Sequence, residues 1–342
     1  MLVSEIGEFG LIKLLAKELG IEYPPKRGQT HPGLRVGLGD DAVVGRRHDG
    51  ALIWTTDTMV AGVHFLPQRT AWRDTGWKAL AVNLSDIAAM GGRPDLALVT
   101  LMLPPEFCVE DAVELYRGLK DASEAFSVTI GGGDIVRASE FAVTVALSGW
   151  AYSSSRLGEP QVMTRDAART GDLVAVSGSL GDSAAGLSLL DQGAAFDTEA
   201  QKALRLAHER PQPRVELGQM AVRAGVRCGM DVSDGLVQDL GHIATASHVQ
   251  VRIDAARIPL SDVLHETFPG RALGLALSGG EDYELLMTAP ARVIDALIAT
   301  SQTPLTVIGE VVSGDAVGVA VTDETGREIP LGRAGWDHLS KP

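Results

Sequence analysis

Aspartates recur in short Gly/Ser/Thr contexts along the whole chain: Gly-Asp-Asp at 39–41, Thr-Thr-Asp-Thr at 55–58, Ser-Asp at 85–86, Gly-Gly-Gly-Asp at 131–134 and Asp-Val-Ser-Asp-Gly at 231–235. Carboxylates beside hydroxyls and backbone carbonyls are hard oxygen donors of the kind Mg²⁺ prefers, and Mg²⁺ in proteins is commonly shared with substrate phosphates. The pattern reads as one dispersed metal site and points to phosphoryl chemistry. Each motif also has a plain structural use. Gly-Asp-Asp serves ordinary turns, Asp86 alone suits a solvated helix face, and Asp231-Val-Ser-Asp234 is a competent helix cap. Thr55, Thr56 and Asp57 together offer more oxygens than a turn requires, and two carboxylates three residues apart exceed what a cap needs.

The elements that must carry these residues follow from periodicity. Ile6, Phe9, Leu11, Ile12, Leu15 and Leu19 mark an opening helix, followed by a loop from Tyr23 to Leu34. The apolar run Ala51–Trp54 predicts a strand that stops at Thr55, leaving Thr55, Thr56 and Asp57 at its end. A helix over 77–90 turns Trp77, Leu80, Leu84 and Ile87 to one face and Asp86 away from it. Strands at 96–103, 128–130 and 141–147 enclose a helix near 109–126, with Gly133 and Asp134 in a turn after the second strand. A polar linker at 153–159 leads to a second α/β series: a strand from Asp172, a helix over 182–190, and a strand, aspartate turn and helix over 230–243. Ser177-Gly-Ser-Leu-Gly-Asp, ahead of a helix, suits either backbone capture of phosphate or a structural turn. His64 fits a packed loop histidine, Glu281-Asp282 a solvated turn, and Trp336 either a packing or a stacking role.

Bulk properties narrow the function classes. The 342 residues, 45% hydrophobic, suffice for two domains, expected at 1–152 and 153–342. A formal charge of -14 disfavours nucleic acid and anionic lipid, while metal ions between protein and a polyanion would offset it. Two distant cysteines give neither a disulfide framework nor a thiolate zinc site, which fits a reducing cytoplasm. No secretory signal or membrane span is expected. Walker, dinucleotide, zincin and nucleophile-elbow signatures are missing, so a nucleotide site must be of another type.

Taken together, Gly-Asp-Asp, Thr-Thr-Asp-Thr-x-Val-x-Gly-x-His-Phe from Thr55, Lys-Ala-x-Ala-Val-Asn-Leu-Ser-Asp-x-Ala-Ala-Met-Gly from Lys78, Gly-Gly-Asp, Asp-x-Ser-Asp-Gly-Leu from Asp231 and Ser-Gly-Gly-Glu-Asp-Tyr-Glu from Ser278 closely resemble the thiamine-monophosphate kinase family. That family lies within the aminoimidazole ribonucleotide synthetase-like superfamily, which uses ATP without a Walker loop. The resemblance implies a two-domain α/β (α+β) fold. The N-terminal sheet would pair across a homodimer, and the C-terminal domain would close over the site. It implies transfer of the ATP γ-phosphoryl group to thiamine monophosphate. By motif, Asp41, Thr55, Thr56, Asp57, Asp86, Asp134, Asp231 and Asp234 would hold several Mg²⁺ ions. Tyr116, Gly133, Asp134, Arg165 and Ser233 would contact ATP, and His64, Glu281 and Trp336 would face thiamine monophosphate. No protein nucleophile is implied, since the acceptor's phosphate oxygen attacks.

Overall fold

The computed structural model describes residues 1–21, 34–36, 44–45, 51–153, 159–193, 196–314, 316–330 and 335. The expected loop from Tyr23, up to residue 33, the interior of the 153–159 linker, Asp41 and Trp336 lie outside these residues, and Leu34 opens a strand. Two compact units are present, Met1–Ile87 with Arg93–Trp150, and Ala88–Gly92 with Ala151–Pro342.

The first unit runs α1 (Val3–Glu18), β1 (Leu34–Val36), β2 (Val44–Gly45), β3 (Leu52–Val60), α2 (Trp72–Ala89), β4 (Arg93–Leu103), α3 (Val109–Ala125), β5 (Thr129–Arg137) and β6 (Ala142–Trp150). Its main sheet has the order β3-β6-β4-β5, antiparallel except for the parallel β4–β5 pair. Helix α2 is buried nearly all round from Thr75 onward, with Leu80, Leu84 and Ile87 at no exposure and the polar Lys78, Asn83 and Ser85 buried beside them, so it is an interior helix. The inward rows of the sheet carry Ala97, Val99, Leu101, Val143, Val145 and Leu147, all without solvent exposure. Phe65, Trp72, Phe107 and Phe141 form an aromatic cluster, mostly edge to face, at centroid distances of 4.7 to 5.8 Å.

Two strands run further than the sequence predicts. β3 continues through Thr55, Thr56 and Asp57 to Val60, and β5 continues through Gly133 and Asp134 to Arg137. Neither pair of motifs sits at a strand end or in a turn. In β3 the threonines are β-branched and suit a pleated surface even at polar positions, so the polarity change at Thr55 marks no boundary. In β5 the strand passes close to β4, and Gly133 is needed there because a Cβ would come within 1.7 Å of the Val99 carbonyl oxygen.

The second unit contains β7 (Leu173–Ser177), α4 (Asp182–Asp191), α5 (Glu199–Glu209), α6 (Val215–Ala224), β8 (Cys228–Asp231), α7 (Leu236–Ser247), β9 (Gln250–Asp254), α8 (Asp262–Thr267), α9 (Ala272–Ser278), β10 (Leu285–Ala289), α10 (Ala291–Thr300), β11 (Leu305–Val312) and β12 (Gly318–Thr322). Six strands order as β12-β9-β11-β7-β10-β8, with only β12–β9 parallel. Apolar residues of α7 (Leu236, Leu240, Ile243) pack with strand residues Val174, Val176, Met230 and Ile253 into one buried core. Both cysteines are free thiols. No helix among the described residues is long and apolar enough to cross a membrane.

Candidate active site

Because β3 is a strand throughout, neighbouring side chains alternate faces. Asp57 pairs with Val145 and, through β6, with Val99, which puts Thr55 and Asp57 on the helix-covered face. There Thr55 Oγ1 donates to Asp86 Oδ2 from α2. Asp57 also interacts with Asp86. Crowding by protein atoms and then the Asp86 charge push the Asp57 carboxyl up from 3.8 to about 6, although the residue keeps an exposed edge. Two carboxylates that resist joint ionisation beside a hydroxyl form a donor set whose strain a divalent cation removes.

Thr56 and Thr58 face the other way. Thr56 Oγ1 donates to the Val145 carbonyl at 3.1 Å, and Thr58 Oγ1 meets Thr144 Oγ1 at 2.7 Å. Asp134 pairs with Thr100, which pairs with Thr144. Thr58, Thr144, Thr100 and Asp134 therefore make one polar row across the sheet. The structure thus brings together Thr55, Asp57 and Asp86, and assigns Thr56 and Asp134 side chains to the opposite face. Asp134 is exposed and Gly133 precedes it along the edge strand. Tyr116 lies on the inward side of α3 at 8% exposure, and burial pushes its phenol up. His64 occupies the turn after β3, anchored by Phe65 in the aromatic cluster. Its Nδ1 accepts the Val60 N–H at 3.0 Å, which fixes the neutral tautomer with its proton on Nε2.

In the second unit, Asp231 ends β8 and is buried, while Ser233 and Asp234 occupy the loop before α7. That loop and the Ser-Gly-Gly-Glu turn continue the β8–β10 ladder. Val232 N donates to Glu284 O at 2.8 Å, Tyr283 N to Val232 O at 2.9 Å, and Glu281 N to Ser233 O at 2.7 Å. Gly280 is required there, because a Cβ would come within 2.4 Å of the Ser233 carbonyl oxygen. Glu281 and Tyr283 both take positive φ, 64° and 51°, a cost accepted where geometry is over-determined. Glu281 Oε2 lies 3.4 Å from Nδ1 of buried His208, which also meets Ser183 Oγ at 3.1 Å. Arg165 is exposed in a turn, its carbonyl accepting Ser247 Oγ at 2.8 Å.

Asp239, His242 and His208 in this unit escape motif reading. Asp234, Asp239 and His242 each bring one ligand atom within 4.8 Å of the others, a further place where a cation could be held. Burial, then the Asp234 charge, push Asp239 up to about 7. A carboxylate in a helix's first turn passes as ordinary dipole complementation, so sequence gives little reason to single it out. His208 lies on α5, far from any motif, and carries no sequence signal. The Ser177–Asp182 loop resolves toward its structural reading. Asp282 accepts Gly181 N at 2.9 Å and Ser183 N at 3.3 Å, so a carboxylate already occupies the donors a phosphate would use.

Residues 39–151 match the AIR synthase related protein, N-terminal domain, and 169–322 its C-terminal domain. The thiamine-monophosphate kinase of Escherichia coli (strain K12) is 36% identical over 344 residues, covering 98% of this chain and 99% of the relative. The chain belongs to the thiamine-monophosphate kinase family. The family's crystal structure from Stenotrophomonas maltophilia K279a superposes with a TM-score of 0.79 at 38% identity, over 92% of this chain and 96% of that one. AaThiL complexed with AMPPCP and TMP gives 0.76 at 34% identity, over 99% of both chains. Thiamine-monophosphate kinases are thus matched in both domains, as the two-domain α/β expectation requires.

Proposed function

We propose that this protein transfers the γ-phosphoryl group of ATP to thiamine monophosphate, forming thiamine diphosphate and ADP. The observation that carries the reading is end-to-end similarity to thiamine-monophosphate kinases, among them AaThiL, which holds AMPPCP and TMP together. The local chemistry agrees with it. Thr55, Asp57 and Asp86 suit Mg²⁺ because the Asp57–Asp86 repulsion disappears when a dication lies between them. Asp41, Asp231 and Asp234 are assigned to further Mg²⁺ ions, and Thr56 and Asp134, whose side chains lie on the other face of the sheet from Asp57, are assigned to a separate cation. Bound Mg²⁺ would neutralise charge on the phosphates and on the transferring group.

The protein's own residues bind and orient. Gly133, Asp134, Arg165, Ser233 and Tyr116 are assigned to the nucleotide. His64 offers Nε2–H as a donor toward the acceptor, a role that its fixed tautomer supports. Glu281 suits the cationic thiazolium, and Trp336 is assigned to stack on its rings. No side chain needs to attack phosphorus, since an acceptor phosphate is itself nucleophilic and a loose transition state rewards alignment over general-base help. Transfer is proposed to be direct and in line. The protein is further proposed to act in the cytoplasm as a homodimer, away from nucleic acid and membranes.

A coupled assay of ADP formation with thiamine, thiamine monophosphate and aminoimidazole ribonucleotide precursors as acceptors tests the reading. Turnover is expected with thiamine monophosphate alone. Turnover independent of it, or with another acceptor in its place, would reject the assignment.

A further inference from the structure

Asp239, the fourth residue of α7, is 1% exposed, and its partners show why a carboxylate sits there. Its Oδ2 accepts three consecutive backbone N–H groups from the preceding loop, Ser233 at 3.0 Å, Asp234 at 3.1 Å and Gly235 at 3.1 Å. An ordinary cap works the other way, with a residue ahead of the helix satisfying N–H groups inside it. Here a residue inside the first turn reaches back and gathers the loop. Among the described residues its other oxygen, Oδ1, is buried without a hydrogen-bond partner, so the side-chain hydrogen bonds seen there all go to that loop. Burying an ionisable group is costly unless its hydrogen bonds are strong, and charge-assisted bonds to backbone N–H groups are among the strongest available.

The consequence extends beyond the three amides. With its N–H turned to Asp239, Ser233 directs its carbonyl to the Glu281 N–H at 2.7 Å, and Val232 is bonded in register to Tyr283 and Glu284. One carboxylate therefore sets the loop bearing Ser233 and Asp234 and, through a single carbonyl, the seat of Glu281. We infer that Asp239 is a positioning residue for phosphoryl transfer, holding the nucleotide-and-metal loop and the acceptor loop of this unit in one fixed geometry. The inference rests on the roles proposed above for Ser233, Asp234 and Glu281.

The test uses Asp239→Asn and Asp239→Glu in the full-length protein, with Asp234→Asn and the Asp239→Asn/Asp234→Asn double variant alongside. Both Asp239 variants are expected to remain folded, to lose amide hydrogen-exchange protection across Ser233–Gly235, and to lower kcat about 100-fold, the scale of loss that small misplacements produce. The Asp234→Asn loss should be much smaller in the Asp239→Asn background than in the wild type, because both changes disable one loop. Additive losses would show Asp239 acting independently of the Asp234 loop and would overturn the inference. So would a folded Asp239→Asn protein with wild-type kcat and wild-type protection at the three amides. If one variant fails to fold, the other carries the same comparison, and the wild-type protection of Ser233, Asp234 and Gly235 against neighbouring loop amides is read in any case: absence of that protection overturns the anchor. Should Asp234→Asn alone leave turnover intact, the assignment of Asp234 to the reaction fails, and the exchange data still decide whether Asp239 holds the loop.

Discussion

At the scale of residues, the Asp57–Asp86 pair is where charge decides behaviour. The folded Asp57 carboxyl titrates at about 6 instead of 3.8, so between these values the native state binds a proton that the unfolded chain has released. Since stability changes with pH in proportion to protons bound by the unfolded state minus those bound by the native state, it falls across this window as pH rises. Its favourable contribution is complete below the unfolded value and gone above about 6. Asp239, raised to about 7, acts in the same direction and extends the fall. Thermal melts of metal-free protein from acid to neutral pH should show this decline, and Asp57→Asn should flatten its lower part. The same variant should abolish turnover while melting no lower than wild type at neutral pH without Mg²⁺. Retained turnover would remove Asp57 from the metal site. Adding Mg²⁺ to the wild type should raise its melting temperature more than that of Asp57→Asn, because binding only the native state stabilises it.

At the scale of elements, the joined loops of the second unit are held by a buried ion pair as well as by backbone. Arg214 makes two bonds to Glu284, at 2.7 and 2.5 Å, and Ser177 Oγ donates to the same carboxylate. Removing Arg214 leaves Glu284 buried at 7% exposure without its cation, so Arg214→Met should cost about 3–5 kcal/mol in urea unfolding. A cost near zero would mean that Glu284 is neutral or rehydrated. Gly280→Ala should also lower stability, because the new methyl would come within 2.4 Å of the Ser233 backbone carbonyl and force the two loops apart, and it should weaken thiamine monophosphate binding in calorimetry. Periodicity made most elements legible: α3 and α4 begin at their predicted positions and β7 lies on its predicted strand, while β8 starts at Cys228, ahead of the predicted Met230, and takes in Asp231. It failed where polar residues continue a strand. Thr55–Asp57 and Gly133–Asp134 look like breaks because their side chains are polar or absent, but hydrogen bonding to β6 and β4 carries both strands on. That error matters for the site, since a strand separates Thr56 from Thr55 and Asp57 whereas a loop would gather all three. Asp239 and His208 were illegible for a different reason. Their roles depend on which loop folds back to them, and no local pattern encodes that.

At the scale of the whole molecule, the full-length family match fixes the class of enzyme, while composition alone only excluded other classes. The acidic balance of -14 is consistent with a protein that meets phosphates through cations. Edge strand β3 exposes Leu52 at 42% and Trp54 at 59% on the face turned away from Asp86. Apolar side chains on an open edge invite pairing, which supports the proposed homodimer. Sedimentation should give a dimer for the wild type and a weakened one for Trp54→Glu, and a monomeric wild type would reject the assembly. Direct transfer from ATP to thiamine monophosphate is tested most plainly with ATP labelled in its γ-phosphoryl group. With both substrates and Mg²⁺ present, the label should appear in thiamine diphosphate, and with ATP alone none should remain on the protein. Label trapped on the protein without acceptor, or released as inorganic phosphate with none in thiamine diphosphate, would contradict the account.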